Sequence, residues 1–595
     1  MKKRFYKSKR LWAAFGLLIA VIWVVQRPVL SEFVAFTTEV LCARRGVEFH
    51  AESVRAGLFE PIVMRGVVLG VKSKANSSQS TVEVESITLE WQDPLTWFSD
   101  RGRWVHSIEM SQPVVFIDFR REETGRVSDY AMRPLEFLAA FTALGGSWPE
   151  KIGLEDAAIE LMSDSTRLVM NGVRLSLGES EAGLFSLDSL TIQSNRFERV
   201  FGPLSAKAAW DGTRISLAGL ELLPGVMMNE ISCELPIGGE PALSFNGRFF
   251  GGTIRGDWSF QRGAGGPFWD FAAICSHVNL EEIPSLFGLG GKAKGILSEG
   301  RFTYRGEPNR PADAEASLRV LAKDFRWNDR GWESLEVGAS LIHRRLFVSN
   351  FDLRQKENKV SLNGEISLAE GWEKITEAPF LLNLRANIKE LGSVAILTGP
   401  GIEEINGELE ANGSLSGRLG SLDGFVGIKA KGIEFRGATV DQAALEILFR
   451  KKTAEIVKCE MTSRDDKLQA TGSIGISSPH PYSASLDASL SDLATWLRPF
   501  PKLGGGVVSS GALKVAWKGE GSINGHSGEF QTSLSKFVTT YTPVGLTGHF
   551  AGTYSPENIH FSKALLENGN LRMQSRITLS SSGLNFEDLQ LNANE

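Results

Sequence analysis

A chain of 595 residues exceeds what one hydrophobic core supports, since cores stop growing at about 250–300 residues, so several domains or a repeat array are expected. Its 42% hydrophobic and 23% charged residues exclude a disordered chain, and its 62 glycines, above the usual share of about 7%, point to many turns. A net charge of −6 excludes the basic field that nucleic-acid binding needs, so nucleic acid is not an expected partner.

Lys2, Lys3, Arg4, Lys7, Lys9 and Arg10 precede an uninterrupted apolar run, Leu11–Val25. This order predicts a cytoplasmic basic tail over residues 1–10 and a transmembrane anchor over 11–27, with everything after it outside the cytoplasm. At 1.5 Å per residue the run rises roughly 23 Å, short of a hydrocarbon core about 30 Å thick, so Arg10 and Arg27 must snorkel. A cleaved signal peptide is the rival, but Gln26, Arg27, Pro28, Val29 and Leu30 offer no small-x-small cleavage site. A membrane-proximal helix over 28–46 follows, with Leu30, Phe33, Val34, Val40 and Leu41 apolar and Arg44-Arg45-Gly46 as its stop. Beyond it come a β region over 47–145 holding a helix at Pro134–Leu144, a β segment over 146–286, and repeats over 287–397, 398–500 and 501–595.

Period-2 alternation dominates these regions, and on a strand it sends successive side chains to opposite faces. In Lys359–Leu368 it puts Val360, Leu362, Gly364, Ile366 and Leu368 on one face and Lys359, Ser361, Asn363, Glu365 and Ser367 on the other. The same reading gives apolar rows Ile405, Leu409, Leu415; Leu486; Leu513, Val515; and Leu571, Met573, Ile577, Leu579. Three longer segments share a strand end, a helix-like turn, a glycine cluster and a new strand: CSHVNLEEIPSLFGLGGKAKGIL, ANIKELGSVAILTGPGIEEINGEL and ASLSDLATWLRPFPKLGGGVVSSGAL. About five or six strands separate successive copies; in the first interval they lie near Gly295–Arg305, Ala314–Phe325, Leu335–His343, Leu346–Arg354, Lys359–Leu368 and Phe380–Ile388. A sheet with one apolar face must cover it, and with so few helices the cover is a second sheet, the sheet closing on itself, or a ligand.

No GxSxG, HExxH or P-loop occurs, and the eight histidines form no cluster with carboxylates, so neither catalysis nor a cofactor is expected. GLGGKA at Gly288–Ala293 imitates a nucleotide loop but follows a helix-like turn rather than a strand, and a plain turn is expected there. Cys42, Cys233, Cys275 and Cys459 have no zinc-ligand spacing; they are buried thiols, or Cys233 bridges Cys275. Asp465 and Asp466 in RDDK belong to a solvated hairpin tip. Trp91, Trp97 and Trp104 form an interfacial belt or pack ordinarily.

In the N-terminal third the order of GVEFHAESVRAGLFEPIVMRGVVLG, ESITLEWQDPLTW and VHSIEMSQPVVFIDF, the last placing Ile108, Met110, Pro113, Val115 and Ile117 in a spaced pattern, resembles the AsmA-like family of envelope proteins. The repeats after residue 286 resemble that family's β-groove units. The resemblance implies a mainly β fold: an elongated, curved, antiparallel, taco-like repeating groove with one N-terminal transmembrane helix and a few short crossover helices. It implies an inner-membrane protein with its bulk in the periplasm, carrying phospholipid between inner and outer membranes in support of outer-membrane biogenesis. An outer-membrane protein or a second bridge component would then meet its C-terminal end. The expected groove lining is Val360, Leu362, Ile366, Leu368, Ile405, Leu409, Leu415, Leu486, Leu513, Val515, Leu571, Met573, Ile577 and Leu579. The competing expectation is a scaffold that assists outer-membrane protein assembly by strand addition.

Overall fold

A computed structural model of the chain describes all residues except 1, 45–46, 58–59, 71–79, 92–104, 119–147, 163–165, 180, 195–197, 237–239, 264–265, 284–292, 308–309, 328–329, 370–371, 398–404, 500–506, 542–543, 581–582 and 594–595. The described strands, β1 to β36, belong to one hydrogen-bonded sheet. Two compact units divide the chain: residues 1–291 with 297–311, and residues 292–296 with 312–595.

The first unit begins with one continuous helix, α1 (Lys2–Arg44), rather than two, because the backbone runs helically through Pro28. The Ser31 hydroxyl donates to the Arg27 carbonyl at 2.7 Å just beyond the proline, and it also accepts from the Ala56 N–H at 2.9 Å, tying the helix to strand β2 (Ser53–Gly57). Arg27 pairs with Glu60, and Leu30, Val34 and Cys42 pack into the adjoining core. Among the described residues no helix is long and apolar enough to cross a membrane. The expected anchor over 11–27 therefore lacks support from the helix itself; its apolar run is bounded by Arg10 and Arg27 and is shorter than the roughly 20 residues a span needs.

Strands β3 (Glu60–Gly70), β4 (Thr81–Trp91) and β5 (Val105–Ser111) alternate with one slip of phase each, in β3 at Gly66, and their inward side chains Ile62, Met64, Leu69, Val82, Ile87, Leu89 and Ile108 are almost fully buried. Pro113 interrupts the edge between β5 and β6 (Val114–Asp118), as a residue without an N–H must, while Met110, Val115 and Ile117 still point inward. The next strand, β7 (Lys151–Met162), runs parallel to both β5 and β6, which corrects the expectation of antiparallel pairing throughout. A connection as long as residues 119–150 permits a parallel return, whereas the short hairpins elsewhere do not. The helix expected at Pro134–Leu144 lies outside the described residues, as do Trp97 and Trp104; Trp91 packs against the core.

In the second unit the described strands, from β20 (Glu315–Trp327) to β36 (Gly583–Ala593), pair antiparallel and in sequence. Six of these strands, β25 (Ile405–Arg418) to β30 (Tyr482–Leu490), lie between two helical insertions: η3 (Leu391–Leu397), which follows β24 (Phe380–Ile388), and α4 (Leu493–Leu497), which precedes β31 (Val508–Ser522). The strands on either side of each insertion still pair with each other, so the insertions are excursions over the sheet and not crossovers to a distant strand. The glycine-rich stretches 288–291, 398–404 and 500–506 lie outside the described residues; Ala293 opens β19 (Ala293–Gly306).

Candidate functional site

Register fixes which side chains share a face. Across the second unit Leu362 pairs Leu384, Leu384 pairs Gly413, Gly413 pairs Val426, Val426 pairs Ile447 and Ile447 pairs Ile456. The neighbouring row runs Cys459, Ala470, Leu486, Trp517, Phe530, Gly552, Phe561, Ile577 and Phe586. Both rows are apolar from edge to edge. The opposite face is polar: Lys431, Gln442, Thr462, Lys467, Ser489, Lys514 and Ser533 follow one another across it. Cross-strand pairs such as Lys389 with Glu408 at 3.1 Å, and Glu460 accepting from Gln469 at 3.0 Å, lace that face. Hydrogen bonds from Lys458 and then Gln469 hold the Glu460 carboxyl below the usual carboxylate range.

Among the described residues, little covers the apolar face over most of its extent. Leu362, Ile366, Ile405, Leu415, Leu486, Leu513, Val515, Met573 and Ile577 are half-buried, and Leu571 and Leu579 are 49% and 43% exposed. Full burial of such side chains would contribute about 1.5–3 kcal/mol each, and here much of that gain is unrealised. Three residues expected in the same lining stand apart. Leu368 is 1% exposed and its N–H donates to the Arg344 carbonyl at 2.7 Å, so it belongs to a packed strand end. Val360 and Leu409 pack against the cluster of Trp332, Ile388 and Val394, with Leu391 and Val394 supplied by η3. The insertion thus closes one margin of the face, which the alternation of single strands could not reveal.

Buried polar side chains hold both insertions. Asn358 Oδ1 accepts from the Lys389 and Glu390 N–H groups at 2.7 and 3.2 Å, while its Nδ2 donates to Ser393 Oγ at 2.9 Å. One repeat later Asp466 Oδ1 accepts from the Ser491 N–H and Oδ2 from Trp496 Nε1 at 2.6 Å. Asp466 is 7% exposed, which corrects its reading as a solvated tip residue; Asp465 beside it is exposed. Burial alone would push the Asp466 carboxyl up, but the hydrogen bonds from Ser491 and Trp496 outweigh it and hold the group below its ordinary range.

The first unit carries an apolar face of its own. Ile215, Cys233, Leu243, Trp258, Phe271 and Tyr304 follow one another across β13 (Arg214–Leu223) to β19, with Trp258 edge-on to Trp269 at 5.0 Å and Phe245 stacked on Phe271 at 6.5 Å. An open cavity of about 400 Å³ nearby is lined by Ser232, Glu234, Ser244, Asp257 and Asp270. Among the described residues no three His, Cys, Asp or Glu side chains converge as metal ligands. None of the four cysteines is in a disulfide, so Cys233 and Cys275 are thiols, and burial pushes both up from the ordinary thiol range. No known protein-family profile matches the chain. No curated protein matches it.

Proposed function

We propose that the protein carries phospholipid along its apolar sheet face, with acyl chains lying on that face and headgroups left in water. The observation that carries the reading is the run of half-exposed apolar rows across β20–β36, between whose strands the described residues place only the short helical insertions η2 (Trp372–Glu377), η3 and α4. A saturated acyl chain of about 16 carbons costs on the order of 13 kcal/mol to expose to water at about 0.8 kcal/mol per methylene, and a face of this kind removes much of that cost. Successive strands lie about 4.8 Å apart, so the face in the second unit extends roughly 80 Å. The resemblance to AsmA-like envelope proteins supports the same reading. It adds an inner-membrane location with the bulk of the chain in the periplasm, a curved taco-like form for the groove, and traffic between the two membranes. The exposed apolar side chains Phe15, Leu17, Val21, Val24 and Val25 of α1 support contact with the inner membrane at that end.

Mass spectrometry of the purified full-length protein tests the proposal: phospholipid is expected to co-purify and to exchange with added vesicles. A protein free of lipid, and remaining so after incubation with vesicles, would sink it. One observation favours a second reading, assembly of an outer-membrane protein by strand addition. Strand β36 exposes every residue, with Leu584, Phe586, Leu589 and Leu591 among them, and pairs through one edge with β35 (Leu571–Ser580). A stable complex with a β-barrel protein, lost on substituting β36 residues with proline, would favour that reading.

A further inference from the structure

We propose that Tyr482, Trp517, His526 and Tyr554 form a seat for the phosphodiester of a phospholipid headgroup at one margin of the second unit's apolar face, an assignment that rests on the lipid-carrying reading above. The four side chains come from four consecutive strands, β30, β31, β32 (Gly525–Thr539) and β33 (Leu546–Tyr554). Register brings them together: Tyr482 pairs Gly521, Gly521 pairs His526, and in the next row Gly519 pairs Gly528 and Gly528 pairs Tyr554.

Glycines make the floor of the seat. A Cβ on Gly519 would stand 2.4 Å from the Trp517 ring and 2.9 Å from the Tyr554 hydroxyl, and one on Gly528 would stand 2.5 Å from the Lys518 carbonyl oxygen. The space so kept lets Trp517 Nε1 donate to Tyr554 Oη at 3.0 Å, and the His526 ring stands edge-on to Tyr554 at 5.4 Å. Because the Tyr554 oxygen accepts from the indole, its own proton is left to donate to another acceptor. Burial, and then the neighbouring Tyr554, push the Tyr482 phenol up, so this hydroxyl keeps its proton. Two phenol O–H groups and an imidazole N–H thus gather where what is missing is an acceptor. Beside them Phe530 and Phe561, 5.5 Å apart, continue the apolar face. An occupant must therefore join a multi-oxygen acceptor to an apolar tail, which a phospholipid does and a free phosphate does not.

The test uses the full-length protein equilibrated with mixed micelles holding equal amounts of a phospholipid and a diacylglycerol with the same acyl chains. Retained lipid is then counted by mass spectrometry. The wild type is expected to retain the phospholipid over the diacylglycerol by on the order of tenfold, the factor expected for hydrogen bonds to a charged group. Tyr482→Phe/Tyr554→Phe should bring that ratio close to one by lowering the retained phospholipid. Tyr482→Phe alone, which removes no hydrogen bond within the described protein, should fall between. An unchanged ratio in the double variant overturns the seat and leaves the lipid-carrying reading standing. A wild type that retains neither lipid overturns both. Binding of glycerol 3-phosphate as tight as that of the phospholipid, lost in the same double variant, would make a small phosphate the occupant and overturn the assignment to lipid.

Discussion

Asn358 and Asp466 occupy matching hairpin ends in successive repeats, and each is chemically fitted to its own insertion. Asn358 faces two donors and one acceptor, which an amide satisfies; Asp466 faces donors at both oxygens, which only a carboxylate satisfies. The exchanges Asn358→Asp and Asp466→Asn, isosteric as they are, should each destabilise the protein by about 1–3 kcal/mol through one buried unmatched group, measured by chemical denaturation. Wild-type midpoints in either variant would show that the insertions do not depend on these contacts. The two differ in pH response. A carboxyl whose folded pKa is depressed contributes stability above its unfolded value of about 3.9 and loses it as pH falls through the folded value. The wild type should therefore lose stability below about pH 4 more steeply than Asp466→Asn, which has no such group to protonate. Nothing in RDDK distinguishes Asp466 from Asp465. The distinction arises only when the segment after β30 folds back over the hairpin, a contact between residues far apart in the chain.

Single strands were well legible because alternation states directly which side chains share a face. β23 (Asn358–Ser367) and β24 fall where KVSLNGEISL and its successor place them, and six strands separate the insertions, within the five or six that the spacing of the repeated segments implies. Alternation says nothing about what lies above a face. Leu409 and Leu415 belong to the same row of β25 and both are half-buried, yet Leu409 packs against the cluster that η3 completes while Leu415 pairs with Leu382 and Gly424. Leu409→Asp should thus bury an unpaired carboxylate and cost about 3 kcal/mol or more, visible as a lowered melting temperature or loss of the protein. Leu415→Asp should fold, because its carboxylate can hydrate, and should retain less lipid. Glu408→Arg, on the polar face and losing only its exposed pair with Lys389, should change stability by less than about 1 kcal/mol. Equal destabilisation by the two aspartates would mean that the face is covered at Leu415 too. The parallel placement of β7 was not legible either, since strand direction depends on a connection whose path no local pattern encodes.

The N-terminal helix shows the same division between composition and packing. Its basic start and apolar run are plain in the sequence, but its continuity through Pro28 and its docking on β2 depend on Ser31 reaching Ala56. Leu30 and Val34 turn into the core while Phe33 and Phe36, 63% and 66% exposed, turn away from it. Phe33→Ser/Phe36→Ser should therefore weaken sedimentation with phospholipid vesicles without lowering the melting temperature; unchanged sedimentation would assign membrane contact to other residues. The six-strand count has a further consequence. In an up-and-down sheet an even number of strands returns the chain to the side it left, so η3 and α4 both emerge along the same border of the second unit's sheet. A repeat of five or seven would send successive insertions to alternate borders and close both sides of the apolar face. Duplication of a six-strand unit instead lengthens the sheet by about 29 Å at a time and returns each such insertion to the border that carries the last, opposite the border where η2 (Trp372–Glu377) joins β23 to β24.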